Sequence, residues 1–328
     1  MQYRHLGRTG LLVSPLALGT MNFGDRTDES TAHAILSAAA DAGINLVDTA
    51  DVYGTPQTPD IKQGSGRSEE IIGSWLKSTG RRDEIVLATK LYQPMGPGPN
   101  DRRLSARHIR AACEASLRRL GTDRIDLYQM HHMDRFTPVD EILEAMGRLV
   151  ADGKVLYFGS SNFAGWYIAA MQSEALSRHM LGLVSEQSIY SLVDRAVELE
   201  VIPACRHFGI GLLAWSPLGR GLLAGVLHAH DCGRRTLPAL RARVERHRAQ
   251  LEQWEALCAE LGLPPSEVAL AWLLGRPGLT AAVTGPRTMA HLEGSLRALD
   301  LELPPEVIAR IEAIWPGPGG EAPEAYAW

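Results

Sequence analysis

The chain has 328 residues, of which 45% are hydrophobic and 22% are charged. That balance is typical of folded globular proteins and excludes a disordered tail or a coiled coil. Lysine and arginine number 33 against 38 aspartates and glutamates, so the net charge of −5 argues against a nucleic-acid-binding protein. No run approaches about 18 apolar residues, and no membrane association is predicted. The opening MQYRHLGRTG lacks the apolar core of a secretory signal, so a cytoplasmic location is expected.

In chain order, short β-rich runs alternate with longer amphipathic segments. Residues Tyr3–Val13 predict a small hairpin that turns at Gly7–Gly10. The strands predicted after it are Leu16–Leu18, Asn45–Asp48, Ile85–Thr89, Ile125–Met130, Val155–Ser160, Leu183–Glu186, Gly211–Trp215 and Thr280–Thr284. The helices predicted between them are Glu29–Ala42, Glu69–Leu76, Ala106–Leu120, Val139–Ala151, Ala164–His179, Arg195–Phe208 and Leu292–Leu299.

The helix predicted at Ala106–Leu120 has a signal at each end and one apolar face. Ser105 is placed to accept a hydrogen bond from the first turn, and Gly121 suits the left-handed residue that ends many helices. The residues expected on its buried face recur at helical spacing and are Ile109, Ala112, Cys113, Ser116, Leu117 and Leu120.

Eight strand–helix units predict a parallel sheet with right-handed crossovers. They favour a closed (β/α)8 TIM barrel over an open doubly wound sheet, because no G-x-G-x-x-G follows the first strand. The predicted fold is one α/β domain over residues 1–328, with an N-terminal β-hairpin and an extra C-terminal helix. Two more helices, Leu240–Leu261 and Ser266–Leu274, are expected before the last strand. Pro94–Pro99 and Pro316–Gly320 are expected to be a loop and a tail.

Four different functional groups stand at the C-terminal ends of successive predicted strands, where the active sites of TIM barrels lie. Asp48 ends the second strand and Tyr53 follows it; Lys90 follows the third strand and His131 the fourth. An ammonium lowers the pKa of a nearby phenol from about 10, and a carboxylate keeps the ammonium charged. The set therefore suits a tuned proton donor beside an imidazole that orients a substrate oxygen. Taken singly, each residue is more simply a structural one.

These residues lie in the motifs Asp48-Thr-Ala-Asp-Val-Tyr-Gly54, Val86-Leu-Ala-Thr-Lys90 and Asp126-Leu-Tyr-Gln-Met-His131. With them, the chain resembles the aldo-keto reductase superfamily, whose fold is a (β/α)8 barrel. The similarity runs through essentially the whole chain, and parts of it look most like actinobacterial reductases. It continues through Gly153–Phe163, Glu186-Gln187, Ala214–Gly219 and Val283–Arg287.

The resemblance implies a catalytic tetrad of Asp48, Tyr53, Lys90 and His131. Tyr53 would donate the proton during reduction, and Lys90 would lower its pKa. Asp48 would anchor Lys90, and His131 would orient the carbonyl. His132 is the competing histidine, but the family's spacing from Asp126 selects His131.

The resemblance also implies NADP(H) bound in an extended form across the barrel mouth, without a glycine-rich motif. Ser161, Asn162 and Gln187 match residues that hold the nicotinamide amide, and Trp215 matches a ring that stacks on it. Arg287 matches a cation at the 2′-phosphate, where a planar guanidinium suits a dianion. The full expected set of cofactor contacts is Gly19, Thr20, Met21, Asp48, Ser161, Asn162, Gln187, Trp215, Ser216, Pro217, Leu218, Gly219, Gly221, Leu222, Gly285, Arg287, His291 and Ser295. The expected substrate contacts are Phe23, Tyr92 and His132.

Two departures from the family pattern bear on function. Gly294 and Ser295 stand where members often have Glu and Asn, so weaker or different adenine contacts are expected. A polar insertion, Thr55–Gly66, follows Tyr53-Gly54 and is expected to be either a surface decoration or a rim of the pocket. His228–Cys232 looks like a metal cluster, but it lacks a partner pair at suitable spacing, and no metal site is predicted.

The function that follows from the resemblance is NADPH-dependent reduction of aldehydes and ketones. One alternative is a reductase for a nucleotide-linked keto-deoxysugar, acting on its carbonyl or on an activated C=C bond. Another is a cofactor-binding regulatory subunit of an ion channel with little turnover. The predicted partner is a small carbonyl compound rather than nucleic acid or membrane, and the sequence carries no prediction of an oligomer.

Overall fold

In a computed structural model that describes residues 1–57, 61–227 and 238–327, eight parallel strands close into a barrel. A two-stranded antiparallel hairpin of β1 (Arg4–His5) and β2 (Leu12–Val13) precedes it. The barrel strands are β3 (Leu16–Gly19), β4 (Leu46–Asp48), β5 (Val86–Leu91), β6 (Ile125–Met130), β7 (Val155–Ser161), β8 (Leu183–Ile189), β9 (Gly211–Trp215) and β10 (Leu279–Thr284). Consecutive strands are neighbours, and β10 pairs with β3 to close the barrel. The predicted TIM barrel is confirmed.

Helices surround the barrel and extend beyond it at the C-terminus. Those that follow barrel strands in the first six units are α1 (Glu29–Asp41), α2 (Arg67–Thr79), α3 (Ala106–Leu120), α4 (Val139–Ala151), α5 (Gly165–Ser177) and α6 (Val201–Phe208). The later ones are α7 (Pro238–Arg246), α8 (Arg248–Leu261), α9 (Pro265–Leu274), α10 (Met289–Arg297), α11 (Pro305–Ile314) and α12 (Glu324–Ala327). The predicted cap of α3 is confirmed, since Ser105 accepts from the backbone N–H of His108 and Gly121 has a φ of 63°.

Two predicted helices are each divided. The segment predicted as Leu240–Leu261 is broken at His247, whose φ of −110° and ψ of 17° lie outside the helical region, so α7 and α8 are separate. The segment predicted as Arg195–Phe208 begins as a short 3-10 turn, and α6 starts only at Val201. Pro203 then falls in the first turn of α6, where its missing N–H costs no helical hydrogen bond.

The core has two layers. Inward-facing residues such as Ala17, Ala88, Leu127 and Leu213 fill the barrel, and the hairpin residues Leu6 and Val13 join this inner cluster. A larger layer lies between the barrel and the helices. Within the described residues, no single helix is long and apolar enough to cross a membrane; only the bent pair α8 and α9, at 92°, meets length and composition requirements together.

Candidate active site

Strand alternation carries polar side chains to the C-terminal mouth of the barrel. Ala88 and Leu127 lie in the inner cluster, so Lys90 and Gln129, two residues further along β5 and β6, also point inward. The paired register places Lys90 beside Gln129 on neighbouring strands. Asp48, the last residue of β4, joins them from the next strand. The buried polar group at the mouth thus follows directly from the alternation of these strands.

Asp48, Lys90 and Tyr53 form one connected group. The Lys90 ammonium donates to Oδ2 of Asp48 at 2.6 Å and to the carbonyl oxygen of Thr49 at 2.8 Å. The same Nζ lies 5.1 Å from the centroid of the Tyr53 ring. Lys90 has no exposed surface, and Tyr53 is 8% exposed. The Tyr53 ring therefore lies beside a fixed and buried positive charge.

The charges shift two pKa values in this group. Burial alone would lower the pKa of Lys90, but the Asp48 carboxylate and Tyr53 outweigh it, so the pKa is raised and the ammonium persists. Burial raises the pKa of Tyr53, and the positive charge of Lys90 offsets only part of that rise. The sequence expectation that Lys90 leaves the phenol with a lowered pKa is therefore corrected: Lys90 acts in the expected direction, but desolvation is the larger effect.

A row of aromatic rings leads outward from Tyr53. His131 presents its ring to Tyr53 at 5.8 Å between centroids and 80° between planes, and it stacks on His132 at 5.2 Å. His132 in turn meets the ring of Tyr92 edge-on at 5.3 Å. Burial, with help from the positive charge of Lys90, holds the pKa of His131 well below its usual value, so the imidazole is neutral near pH 7. The structure brings both histidines to the mouth but places only His131 against Tyr53.

Two side-chain amides, those of Gln129 and Gln187, hold the Asp48 carboxylate in place. Gln129 and Gln187 both donate to Oδ1 of Asp48, at 2.9 Å and 2.8 Å, and Gln187 also donates to Oε1 of Gln129 at 3.1 Å. The two Asp48 oxygens are thus divided between the amides and Lys90. Both hydrogens of the Gln187 amide are used within the protein, which leaves its carbonyl oxygen as an acceptor. Gln129 was missed by the sequence reasoning, although an amide in an otherwise apolar buried strand is a recognisable signal.

Residues from β7 and β9 form a second polar group at the mouth. Ser161 donates to the backbone carbonyl of Gln187 at 2.7 Å. The Asn162 amide donates to Oγ of Ser161 and to the backbone carbonyl of His131, each at 3.0 Å. Trp215 completes it by donating to Oδ1 of Asn162 at 3.0 Å. Asn162 adopts a left-handed φ of 59°, which Asn tolerates better than most residues. Because both hydrogens of its side-chain amide are already bonded, Asn162 fixes its neighbours rather than offering a free donor.

The loop after β9 has an unusual backbone. Ser216, Gly219, Arg220 and Gly221 have φ values of 54°, 56°, 59° and 99°, in or near the left-handed region. The Arg220 guanidinium lies 5.5 Å from the Trp215 ring. The remaining loop residues expected to contact the cofactor are buried or half-buried; they are Pro217, Leu218 and Leu222. The N–H groups of Gly219, Gly221 and Leu222 donate within the loop, to the carbonyls of Ser216, Leu218 and Gly219. The exposed Arg220 guanidinium is therefore the group of this loop that suits a dinucleotide pyrophosphate.

The residues expected at the adenosine end lie around the start of α10. Thr288 caps the helix, and the Arg287 backbone N–H donates to Nδ1 of His291 at 3.4 Å. Ser295 donates back to the His291 carbonyl at 3.0 Å, inside its own helix. In the described part of the chain, no carboxylate pairs with Arg287. A guanidinium at a helix N-terminus suits a phosphate group.

The remaining predicted residues divide between the mouth and the core. Thr20 donates to the Asp48 carbonyl at 3.1 Å, and Met21 packs beside Tyr53. A Cβ on Gly19 would lie 2.8 Å from a methyl of Val283, so glycine allows β3 and β10 to approach. Gly285 is exposed and accepts from Asn22 at 3.0 Å. Phe23 is a correction: it is fully buried in the layer between barrel and helices, so the structure does not bring it to the rim.

The described part of the polar insertion packs at the mouth. The Gly64 N–H donates to the Pro94 carbonyl at 2.6 Å, and Ile61 and Met95 pack against the cluster that contains Tyr53. Residues 58–60 of the insertion lie outside the described residues, as does the histidine and cysteine cluster at 228–232. Among the residues that are described, no group of three or more His, Cys, Asp or Glu could hold a metal ion.

Glu186 is a second residue that sequence reasoning did not single out as functional. It is fully buried and accepts from the hydroxyls of Ser160 and Ser188 and, at 3.1 Å, from the backbone N–H of Phe163. These bonds tie the β7 end, which carries Ser161 and Asn162, to β8. Burial raises the pKa of Glu186 to about 7. A glutamate inside a buried strand, next to Gln187, is the signal that could have found it.

A TIM barrel with a buried lysine, aspartate and tyrosine at its mouth is the architecture expected of a barrel oxidoreductase. Comparison with known proteins identifies the protein family. The model of the Aldo/keto reductase family matches residues 15–316, and the chain belongs to that family. The uncharacterized oxidoreductase YrpG of Bacillus subtilis (strain 168) is 52% identical over 100% of both chains.

Two further relatives carry different descriptions. The probable voltage-gated potassium channel subunit beta of Oryza sativa subsp. japonica is 35% identical over 96% of each chain. The versiconal hemiacetal acetate reductase of Aspergillus parasiticus is 32% identical over 97% of this chain and 99% of its own. Together with the family match, the relatives support an oxidoreductase of the aldo-keto reductase type.

Proposed function

We propose that the protein is an NADPH-dependent carbonyl reductase that converts aldehydes and ketones to alcohols. The observation that carries the proposal is the contact series from Asp48 through Lys90 to Tyr53, with His131 edge-on to the phenol. A proton donor, a charge that stabilises its anion and a neutral hydrogen-bonding ring thus share one barrel mouth. The reductase among the relatives supports the same class of reaction.

In the proposed reaction, bound NADPH supplies the hydride that reaches the carbonyl carbon. Tyr53 donates its phenolic proton to the carbonyl oxygen, and the developing phenolate is stabilised by the Lys90 ammonium. Asp48 holds that ammonium in place. His131, neutral because of its lowered pKa, orients the carbonyl oxygen through a ring N–H. One hydride and one proton are added, which gives the alcohol.

The cofactor is proposed to lie along the residues already described. The side-chain oxygen of Gln187 would accept from the nicotinamide amide, with Ser161 beside it, and Trp215 would hold the nicotinamide ring. The Ser216–Leu222 loop would hold the pyrophosphate, and Arg287 would pair with the 2′-phosphate. Arg287→Ala is expected to weaken NADPH binding by about 1.5–3 kcal/mol, the scale of a hydrogen bond to a charged group. NADH binding, measured by quenching of tryptophan fluorescence, should change little, whereas equal losses for both cofactors would contradict the assignment.

The proposed proton donor is tested by Tyr53→Phe, which keeps the ring and removes the proton. The rate of NADPH oxidation with 4-nitrobenzaldehyde should fall by about 10²–10⁴-fold, the usual contribution of general acid catalysis. NADPH binding should stay close to that of the wild type. The second candidate function is a regulatory subunit, and the relative described as a channel subunit is the reason to consider it. A wild-type protein that binds NADPH but turns over no carbonyl compound would favour this candidate.

A further inference from the structure

Beyond the tetrad, the loops after β5 and β6 place an arginine and an exposed phenylalanine face to face. The Arg103 guanidinium lies 4.4 Å from the centroid of the Phe136 ring, and Phe136 is 79% exposed. Arg103 belongs to the β5–α3 loop and Phe136 to the β6–α4 loop, and both loops leave the C-terminal end of the barrel. We call this pair the Arg103–Phe136 rim.

The rim is held by a buried carboxylate rather than by chance contact between two surface loops. Asp134 is 1% exposed and accepts from the backbone N–H of Leu104, at 3.1 Å, in one loop and of Phe136, at 3.0 Å, in the other. The same carboxylate accepts from the Thr137 hydroxyl at 2.8 Å. Since Arg103 immediately precedes Leu104, these bonds fix both members of the rim. A single exposed phenylalanine is ordinary on a protein surface, but one fixed in this way beneath a cation is not explained by packing.

The rim is continuous with the proposed catalytic group. The backbone N–H of Arg103 donates to the backbone carbonyl of Tyr92 at 2.6 Å. The Tyr92 ring contacts His132, which stacks on His131. Tyr92 and Arg103 have φ values of 144° and 69°, so the backbone accepts strain at both residues. Burial and Asp134 raise the pKa of Tyr92, and the positive charge of Arg103 opposes that rise.

Arg103 is also available to a ligand. Within residues 1–57, 61–227 and 238–327, no carboxylate forms an ion pair with its guanidinium. Its positive charge lies over the Phe136 ring, and its backbone is bonded to Tyr92, the outer ring of the row that begins at Tyr53. An aromatic ring fits the row, and an anionic group fits the guanidinium.

We propose that the Arg103–Phe136 rim recognises the carboxylate of an aromatic carbonyl substrate, so that the enzyme prefers aromatic aldehydes and ketones that carry an acid group. This inference rests on the proposed function, because it names the substrate class of the same site. The carbonyl lies at Tyr53 and His131, the aromatic body lies along His132 and Tyr92, and the acid group reaches Arg103.

The test compares two pairs of aldehydes of different length. They are 4-carboxybenzaldehyde with 4-methylbenzaldehyde, and 4′-formylbiphenyl-4-carboxylate with 4′-methylbiphenyl-4-carbaldehyde. For at least one pair, the wild type should have a higher kcat/KM for the acid than for the neutral aldehyde. Arg103→Met should lower this ratio roughly fivefold by raising the KM of the acid, as expected for a partly exposed ion pair. Added salt should reduce the preference in the wild type. Phe136→Leu should lower kcat/KM for both members of the pair.

Arg102→Met is the matched control, because Arg102 is the exposed neighbour of Arg103 and should leave the preference unchanged. If the wild type reduces the neutral aldehydes but shows no preference for either acid, or if Arg103→Met and Arg102→Met behave alike, the rim assignment is wrong and the proposed function stands. If no aldehyde is reduced, the proposed function fails. The rim is then tested by calorimetric binding of 4-(hydroxymethyl)benzoate with and without NADP⁺, and binding that Arg103→Met does not weaken would overturn it.

Discussion

At the scale of single residues, Glu186 shows how a buried charge connects stability to the proposed cofactor site. Its carboxyl group joins the end of β7 to β8, next to the residues proposed to hold nicotinamide. Burial is the main reason for its pKa of about 7, and the hydrogen bonds from Ser160 and Ser188 limit the rise. Glu186 is therefore partly protonated at neutral pH.

This raised pKa makes folding stability depend on pH. The folded protein favours the protonated carboxyl more than the unfolded chain, where the pKa is the usual 4.5, so the stabilisation present below that pH is lost as pH rises through about 7. Between about pH 5 and pH 8, the wild type should lose about 2.5 kcal/mol more than Glu186→Gln. Urea unfolding at both pH values measures the difference. Parallel pH profiles for the two proteins would mean that Glu186 does not titrate as described.

At the scale of elements, two loops that are distant in sequence pack together beside Tyr53. Residues 61–66 of the insertion contact the start of the β5–α3 loop through the hydrogen bond from Gly64 to Pro94. Ile61 and Met95 pack on the same small cluster. The described part of the insertion therefore packs against the segment that carries Tyr53, and we propose that it forms part of the pocket wall.

Gly64 is the position at which this contact can be tested. A Cβ there would lie 2.8 Å from the Cα of Val52 and 2.4 Å from the Met95 sulfur, so Gly64→Ala must push the segment outward. We expect a stability loss of about 1–3 kcal/mol, as in other overpacked sites, with a higher KM for aldehydes. Gly10→Ala is the control, since a Cβ at Gly10 meets nothing within 4 Å. Unchanged KM in Gly64→Ala would show that this segment does not shape the pocket.

At the scale of the whole molecule, the sequence predicts what depends on local periodicity. The eight barrel strands and the positions of Asp48, Lys90 and His131 follow from alternation and from the rule that barrel sites lie at strand ends. It does not predict what depends on three-dimensional surroundings. The direction in which the pKa of Tyr53 shifts depends on its burial, which the sequence does not reveal. The hydrogen bond between Gln187 and Gln129 joins β8 to β6, two strands that are not consecutive along the chain. The break at His247 likewise has no marker such as proline or glycine in the sequence.

One carboxylate of helix α11 bonds to the loop after β8 and to the region of α9. Glu312 accepts a hydrogen bond from Nη1 of Arg195, in the loop after β8. It also accepts from Trp272 in α9 at 3.1 Å and from Arg276 just after α9 at 3.0 Å. Both guanidinium groups also lie over the Trp272 ring, at 5.2 Å and 4.6 Å. Three segments that are far apart in sequence therefore depend on the same two oxygen atoms.

Glu312→Ala should consequently cost more than an ordinary surface change. It leaves two largely buried guanidinium groups without this partner, although Arg195 keeps Glu198, and we expect a loss of about 2–3 kcal/mol in the free energy of unfolding. Arg310→Ala on the same helix breaks an ion pair with Glu260 that is more than half exposed, and it should cost less than about 1 kcal/mol. Urea unfolding followed by tryptophan fluorescence measures both losses. Equal losses for the two variants would show that Glu312 acts only as a surface charge, in spite of its two less exposed guanidinium partners and its bond from Trp272.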